Sequence, residues 1–527
     1  MRGFAFLSST FEAHNEVAMV ISIGARWLVI GLVFIEALLL WITTRWGIGL
    51  YTDSIVYVGA ARSILAGDGF QFFNDIGQLA PITQYPPGYP WLIAALAWTG
   101  LDALDAARWL SLFFCAGNSL LVVFIVYRST SSLGATMLAA FLSFAAFPMV
   151  YVNSQALSEP PFIFLTLLSF CFLAHYLQDA HVPSIYWFAL AVGVSCLVRY
   201  VGIAVGLTGA AVILFHGRGD WRRRFIDAGT FSSLSALPIA VWFIRNYLQA
   251  GNAANRTFGF HLPALADLLP SLDTVGQWLV PTSLVENSPW LSRAFLLLVF
   301  LFFCFLARRV EWSKSWYPHL MIYCVLGYGG FLFISFSFND QPLYFDTRTM
   351  ALPYVAAMIV ALSIMTEWFR KYRSAEKSWR WFAFDCALAV LLAIQLVNGA
   401  LWLHLSYARG IGFATDTWRQ SELLQFAKNA PPSTPIVSNA PDFIFTLTGR
   451  RTTMIPHKVD PWTRQPNSRY EQALAAMREQ LQQPNAVFVY FDDDQRIWYL
   501  PSIKELETIL PLEKIKAVSD GALYGMK

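Results

Sequence analysis

Charge is scarce in this chain: only 13% of its residues are Asp, Glu, Lys or Arg, against 56% hydrophobic. The net charge of +3 is too small for this length to mark a nucleic-acid partner. Cysteine is equally sparing. Cys115, Cys171, Cys196, Cys304, Cys324 and Cys386 lie within or beside apolar blocks, without Cys-x-x-Cys spacing, so neither a disulfide framework nor a zinc knuckle is indicated. The sequence also lacks a Walker loop, a dinucleotide fingerprint and a nucleophile elbow, which removes nucleotide-driven work from consideration. No internal repeat stands out, and the inverted symmetry of many secondary transporters is not visible.

What is present is a series of long apolar blocks separated by basic clusters, the pattern of a polytopic α-helical membrane protein. About eleven spans fit, over 26–44, 109–127, 132–152, 160–177, 184–198, 200–216, 226–246, 292–307, 316–338, 350–369 and 381–404. The first has no small-residue cleavage site after it and reads as a retained signal-anchor. The block from Pro90 to Gly100 rises only about 16 Å as a helix, roughly half the hydrocarbon core, so it reads as re-entrant or surface-lying. Arg128, the Arg218/Arg222/Arg223/Arg224 cluster, Arg308/Arg309/Lys314 and Arg370/Lys371/Arg373/Lys377/Arg380 then fall on one side. Basic residues concentrate in short cytoplasmic loops. The expectation is a cytoplasmic segment over 1–25, a membrane domain over 26–404 with an outward first loop at 45–108, and an extracytoplasmic α/β domain over 405–527. The loops 247–291 and 339–349 face outward in the same arrangement. In the last domain, β-rich runs at 434–437, 486–491 and 514–518 alternate with helix-like stretches at 470–481 and 503–510.

Chemistry-bearing residues gather on the outward side. Asp53, in Tyr51-Thr52-Asp53-Ser54, stands at the head of an amphipathic helix. It reads either as an N-cap or as a general base for a hydroxyl acceptor, and the two roles are compatible. Glu159, with Ser158 before it and Pro160-Pro161 after it, reads either as dipole compensation at a helix start or as a functional carboxylate. Arg199 opposes the positive-inside tendency at a tight outward junction and needs an anion or lipid headgroups. Arg245, Arg256 and Arg348 are also outward and near span ends; each alone would snorkel, whereas several beside two carboxylates would form a pocket for a phosphate-bearing lipid. Glu36, inside the first span, is expected to hydrogen-bond within the bundle. Asp492-Asp493-Asp494, the sequon Asn255-Arg256-Thr257 and His261 are weak signals with ordinary surface explanations.

The order of these features resembles the polytopic GT-C glycosyltransferases, in the branch of the protein O-mannosyltransferases and the lipid A aminoarabinose transferases. The resemblance rests on Asp53 with Tyr57, the run Ala60-Ala61-Arg62-Ser63-Ile64-Leu65-Ala66-Gly67-Asp68-Gly69, and the turn Pro86-Pro87-Gly88-Tyr89. It continues through Ala107-Arg108, Pro148, Ser158-Glu159 and Arg199, with later echoes in Arg245-Asn246 and Arg348 followed by Leu352-Pro353. It implies that Asp53 is similar to a catalytic base, that a sugar on a polyprenyl phosphate is the donor, and that a phosphate site lies near Arg199. The resulting reading has Glu159 orient Arg199 or the sugar, with a substrate-binding set of Arg62, Tyr85, Tyr89, Arg199, Arg245 and Arg348. The acceptor would be a hydroxyl on a lipid, glycan or protein, with membrane lipids as surroundings. Two positions depart from the pattern. Ser54 stands where many members have a second acid, and Gln84-Tyr85 where some have Glu-Lys. A carboxylate ligand is thereby lost, so no metal residue is assigned and a divalent cofactor stays open. A transporter or flippase remains the alternative, although its charges should lie near mid-bilayer. A ligase moving a whole lipid-linked glycan is a third reading.

Overall fold

The computed structural model describes residues 23–73, 79–179, 181–253, 259–260, 262–263, 265–310, 315–338, 345–372, 379–459, 465–492 and 498–527. The sequon at 255–257, His261 and Asp493-Asp494 lie outside them. In chain order come α1 (Ile23–Thr43), α2 (Thr52–Leu65), an antiparallel pair β1 (Gln71–Phe73) and β2 (Leu79–Pro81), α3 (Gly88–Ala97), α4 (Ala103–Thr130), α5 (Leu133–Ala145) and α6 (Phe147–Asn153). There follow α7 (Glu159–Asp179), α8 (Ser184–Val198), α9 (Gly202–His216), α10 (Trp221–Ala250), α11 (Leu265–Gly276), α12 (Thr282–Asn287), α13 (Pro289–Arg309), α14 (Tyr317–Phe338), α15 (Ala351–Tyr372) and α16 (Trp379–Arg409).

Every span read from the sequence corresponds to helix, but they are not alike. Among the described residues, α1, α4, α7, α10, α13, α14, α15 and α16 are the eight helices long and apolar enough to cross a membrane unaided. The pair α5–α6 passes the same test when taken together, as a broken span or a re-entrant loop that turns through 53°. Pro148 explains the break, because it lacks an N–H and its ring crowds the preceding turn. The last span closes over this break so tightly that a Cβ on Gly399 would meet the Ala145 carbonyl oxygen at 2.0 Å. Helices α8 and α9 have 15 residues each. They rise about 22 Å, short of a ~30 Å core. Burial among neighbours compensates, with Phe188 of α8 stacked on Phe231 of α10 at 4.2 Å between ring centres. Glu36 of α1 accepts a hydrogen bond from Ser119 of α4 at 2.6 Å, inside the bundle as its position requires.

After α16 come α17 (Asp416–Arg419), α18 (Glu422–Asn429), β3 (Ile436–Ser438), α19 (Pro441–Thr448), β4 (Thr453–Met454), α20 (Tyr470–Leu481), β5 (Val487–Phe491), α21 (Ile503–Ile509), β6 (Leu512–Val518) and β7 (Gly521–Met526). The sheet order is β4-β3-β5-β7-β6, parallel through β5 and antiparallel beyond it. Side chains alternate across a strand. Accordingly Phe488 and Tyr490 pack with Leu474 and Met477 on one face, and Val489 and Phe491 with Phe443 and Leu423 on the other.

Backbone bridges fix where this layer meets the bundle. The Gly49 N–H donates to the Ser154 carbonyl and the Ala156 N–H to the Gly49 carbonyl, both at 2.9 Å. Leu50 exchanges backbone bonds with Ile411 (3.3 Å) and Phe413 (3.0 Å). Helix α19 lies on α2, where Arg62 Nε donates to the Thr446 carbonyl at 3.1 Å and Thr446 Oγ1 to that of Ile55 at 3.2 Å. The start of α2 is therefore held from two sides.

Candidate active site

Four pieces of chain meet at one end of the bundle: the first turns of α2 and α7, the α8–α9 junction, and the segment before α15. Helix α2 begins with Tyr51 as its N-cap and no side-chain cap bond, so Asp53 lies inside the first turn and does not cap it. Its carboxylate is thereby free to point at other groups. Oδ1 accepts from the Tyr85 hydroxyl at 2.9 Å, and Oδ2 accepts from Arg348 Nη2 at 2.6 Å. The same guanidinium donates through Nε to Glu159 Oε1 at 2.9 Å. Arg199 Nη1 reaches that Glu159 oxygen at 2.6 Å and the Ser158 hydroxyl at 3.0 Å. The Tyr57 hydroxyl lies 3.2 Å from Ser158 Oγ, and its ring meets Tyr85 and Tyr89 edge-on.

Two acids and two arginines thus form one neutral network. Exposure separates its carboxylates: the Asp53 side chain is 26% exposed and that of Glu159 is 3%. Asp53 is open to a substrate, whereas Glu159 is sealed behind it. Burial pushes the Asp53 carboxyl up, but the charge and hydrogen bond of Arg348, the Tyr85 hydroxyl and the charge of Arg199 outweigh it and hold the group below its ordinary value. Burial works against the charge of Arg348 and Arg199 too, and Glu159 leads the attractions that raise both above the usual arginine range. Burial and the Asp53 charge keep the Tyr85 phenol protonated, as a donor.

The Pro-Pro-Gly turn builds the wall. Tyr85 precedes it, Pro87 caps α3, and Tyr89 is 1% exposed within the core. A Cβ on Gly88 would come within 2.7 Å of the Leu197 carbonyl oxygen, so only glycine lets α3 seat against the turn that carries Arg199.

Residues 76–248 match the family model described as dolichyl-phosphate-mannose-protein mannosyltransferase. A solved structure of ArnT from Cupriavidus metallidurans bound to undecaprenyl phosphate superposes with a TM-score of 0.61 at 12% identity, over 94% of this chain and 97% of that one. The fold is that of the GT-C glycosyltransferases. The apo form of the same ArnT gives 0.58 at 13% identity, over 95% and 98% of the two chains. An oligosaccharyltransferase from Archaeoglobus fulgidus, tethered with an acceptor peptide, gives 0.52 at 12% identity over 88% and 69%. No curated protein sequence matches the chain. The segment matched by the family model holds Tyr85, Glu159 and Arg199 but not Asp53 or Arg348.

Not every residue marked from sequence joins the network. Arg62 sits farther along α2, paired with Asp102 at 2.9 Å and bound to Thr446. Arg245 donates to the Ile82 carbonyl at 2.9 Å and lies over the Trp242 ring, tying the β1–β2 region to α10. Tyr57 and Ser158 belong to the network although neither was singled out as functional; Tyr57, one turn past Asp53, was the available signal. Asp53 and Glu159 already share Arg348 between them, so a divalent cation, which can bind through one or two carboxylates with water completing its shell, would have to displace that guanidinium. Among the described residues no group of three Asp, Glu, His or Cys side chains is placed to hold one.

Proposed function

We propose that this GT-C protein is an inverting transferase that moves a hexosyl or pentosyl group from a polyprenyl-phosphate carrier to a hydroxyl acceptor on a lipid, glycan or protein. The observation that carries the reading is the half-open Asp53 carboxylate, ionised and gripped by an arginine that can also serve phosphate. Asp53 accepts the acceptor's hydroxyl proton as that oxygen bonds to the anomeric carbon. The bond from that carbon to the phosphate oxygen breaks on the opposite face, its electrons leave with polyprenyl phosphate, and a single displacement inverts the centre. Arg348 and Arg199 stabilise the charge growing on the leaving phosphate, and Glu159 orients both. The undecaprenyl phosphate held by the ArnT relative supports this class of donor.

The network's neutrality adds a consequence. An incoming phosphate competes with Asp53 for Arg348, and as the guanidinium turns to it the carboxylate becomes the stronger base. Donor binding thus prepares the base. The reaction is placed at the outer face of the cytoplasmic membrane, with the N-terminus and basic loops cytoplasmic and residues from about 405 extracytoplasmic.

The test is incubation of the purified protein with labelled polyprenyl-phosphate sugars, following release of polyprenyl phosphate and transfer of label. Transfer that falls away in Asp53→Asn supports the reading. No turnover with any such donor, or equal turnover in the variant, would sink it.

A further inference from the structure

A second polar site lies away from this network, where the C-terminal sheet meets the first loop. An open groove of about 510 Å³ is lined there by Arg450, Arg451, Thr452, Thr453 and Gln480, with Leu79 of β2 at its edge. That is the size of a small-ligand pocket. Its charge is unbalanced. Arg451 pairs with Asp68 of the turn after α2, whereas Arg450 has no carboxylate partner among the described residues. Arg450 is nevertheless fixed, because its Nη2 donates to the carbonyls of Pro431 at 2.7 Å and Thr434 at 2.8 Å. Gln480 is held by Thr453 at 2.8 Å, and Pro435 and Leu79 supply apolar patches. Guanidinium for an anion, hydroxyl and amide for hydroxyls, and apolar faces for C–H edges together make the chemistry of an anionic sugar.

Position sets the length of the ligand. Gly449, next to Arg450, lies against Arg62, 3.4 Å from where its Cβ would stand to Arg62 Nη1. Arg62 is nine residues along α2 from Asp53, on the order of 14 Å of helix. A single sugar ring cannot touch both places.

We propose that this groove is a remote acceptor subsite that binds an anionic sugar unit of an oligosaccharide chain whose reacting hydroxyl lies at Asp53; this rests on the transferase reading above. The subsite selects glycans that carry a phosphate or a carboxylate several rings from the growing end.

The experiment is calorimetric titration of the full-length protein in nanodiscs with glucose 6-phosphate, glucuronic acid, maltose and inorganic phosphate. At least one anionic sugar is expected to bind about tenfold or more tighter than maltose. Tighter glucose 6-phosphate assigns a phosphorylated unit, and tighter glucuronic acid a uronic acid. Arg450→Gln should weaken that binding about tenfold; because Arg450 also ties its loop, Arg451→Gln, at an exposed lining residue, is measured beside it and should weaken the same probe without altering melting. Equal binding of maltose, inorganic phosphate matching the sugars, no binding at all, or affinities indifferent to both substitutions would overturn the subsite. Asp53→Asn should titrate as wild type does. A failure of the transfer chemistry therefore leaves this measurement standing, and the two proposals fail separately.

Discussion

The two ends of the bundle use charge in opposite ways. At the end carrying the basic clusters, polar pairs are local: a His175–Asp179 hydrogen bond and an Arg223–Asp227 ion pair four residues apart, and Arg370 with Glu367 three apart. Each has a well-exposed partner and would form on an isolated helix, contributing some tenths of a kcal/mol. At the other end Arg348 reaches back 295 residues to Asp53 and 189 to Glu159. Those pairs exist only once the bundle is assembled, and desolvation costs them much of their attraction. A fold in need of glue alone gains little from such a network. Its retention of exposed, ionised Asp53 is what a reactive site requires.

The contrast can be broken by substitution. The largest effect is expected at Asp53: Asp53→Asn should lower kcat roughly 10²- to 10⁴-fold, while donor affinity holds or improves because Arg348 loses a competing anion. Comparable losses in kcat and donor affinity would instead make Asp53 a binding group. Next is Glu159→Gln, which leaves two buried guanidiniums short of one counter-charge and should destabilise the protein by about 3 kcal/mol, visible as a lowered melting temperature in detergent. An unchanged melting temperature would mean that solvent screens this end as it screens the other.

Tyr85→Phe removes one hydrogen bond from the Asp53 carboxylate and should change kcat about tenfold, with melting little affected. pH sharpens the same point. Asp53 is held below its ordinary value of 3.8. Its folded value is depressed, so its stabilising contribution is complete above the unfolded value and lost as pH falls through the lower folded one. Donor phosphate that draws off Arg348 should lift it, placing the acid limb of kcat above the acid limb of kcat/KM for the donor. Coincident limbs would show that Arg348 never leaves. The smallest effect belongs to the opposite end, where Arg370→Ala, which breaks a partly exposed pair with Glu367, should cost no more than about 0.5 kcal/mol and leave transfer rates unaltered.

Hydropathy and basic loops were enough to read the helices, the short α3 and the alternation of strand and helix after Trp418, because each is written in local pattern. The break at Pro148 was not legible as a break, since an apolar run on both sides of a proline reads as one span; nor were the two-residue strand β4 and the C-terminal strand β7. At the site, residue types gave Asp53, Glu159, Arg199 and Arg348 as candidates. Local sequence could not reveal that Arg348 joins the two acids, because that contact depends on how α15 packs beside α2 and α7. The capping role considered for Asp53 failed by two register steps: the N-cap is Tyr51 and the helix starts at Thr52, which carries the carboxylate past the position from which it could cap.

The span of 295 residues between Asp53 and Arg348 also has a meaning in time. At ribosomal rates of 5–20 residues per second, the acid leaves the ribosome about 15–60 s before its cation. Glu159 likewise precedes that arginine. Throughout biogenesis the nascent first loop must keep Asp53 in water or protonated, and the centre closes only when α15 packs beside α2 and α7. A stall in synthesis before that point yields a membrane-inserted but incomplete protein, with its reactive end unformed and its early carboxylates unpaired.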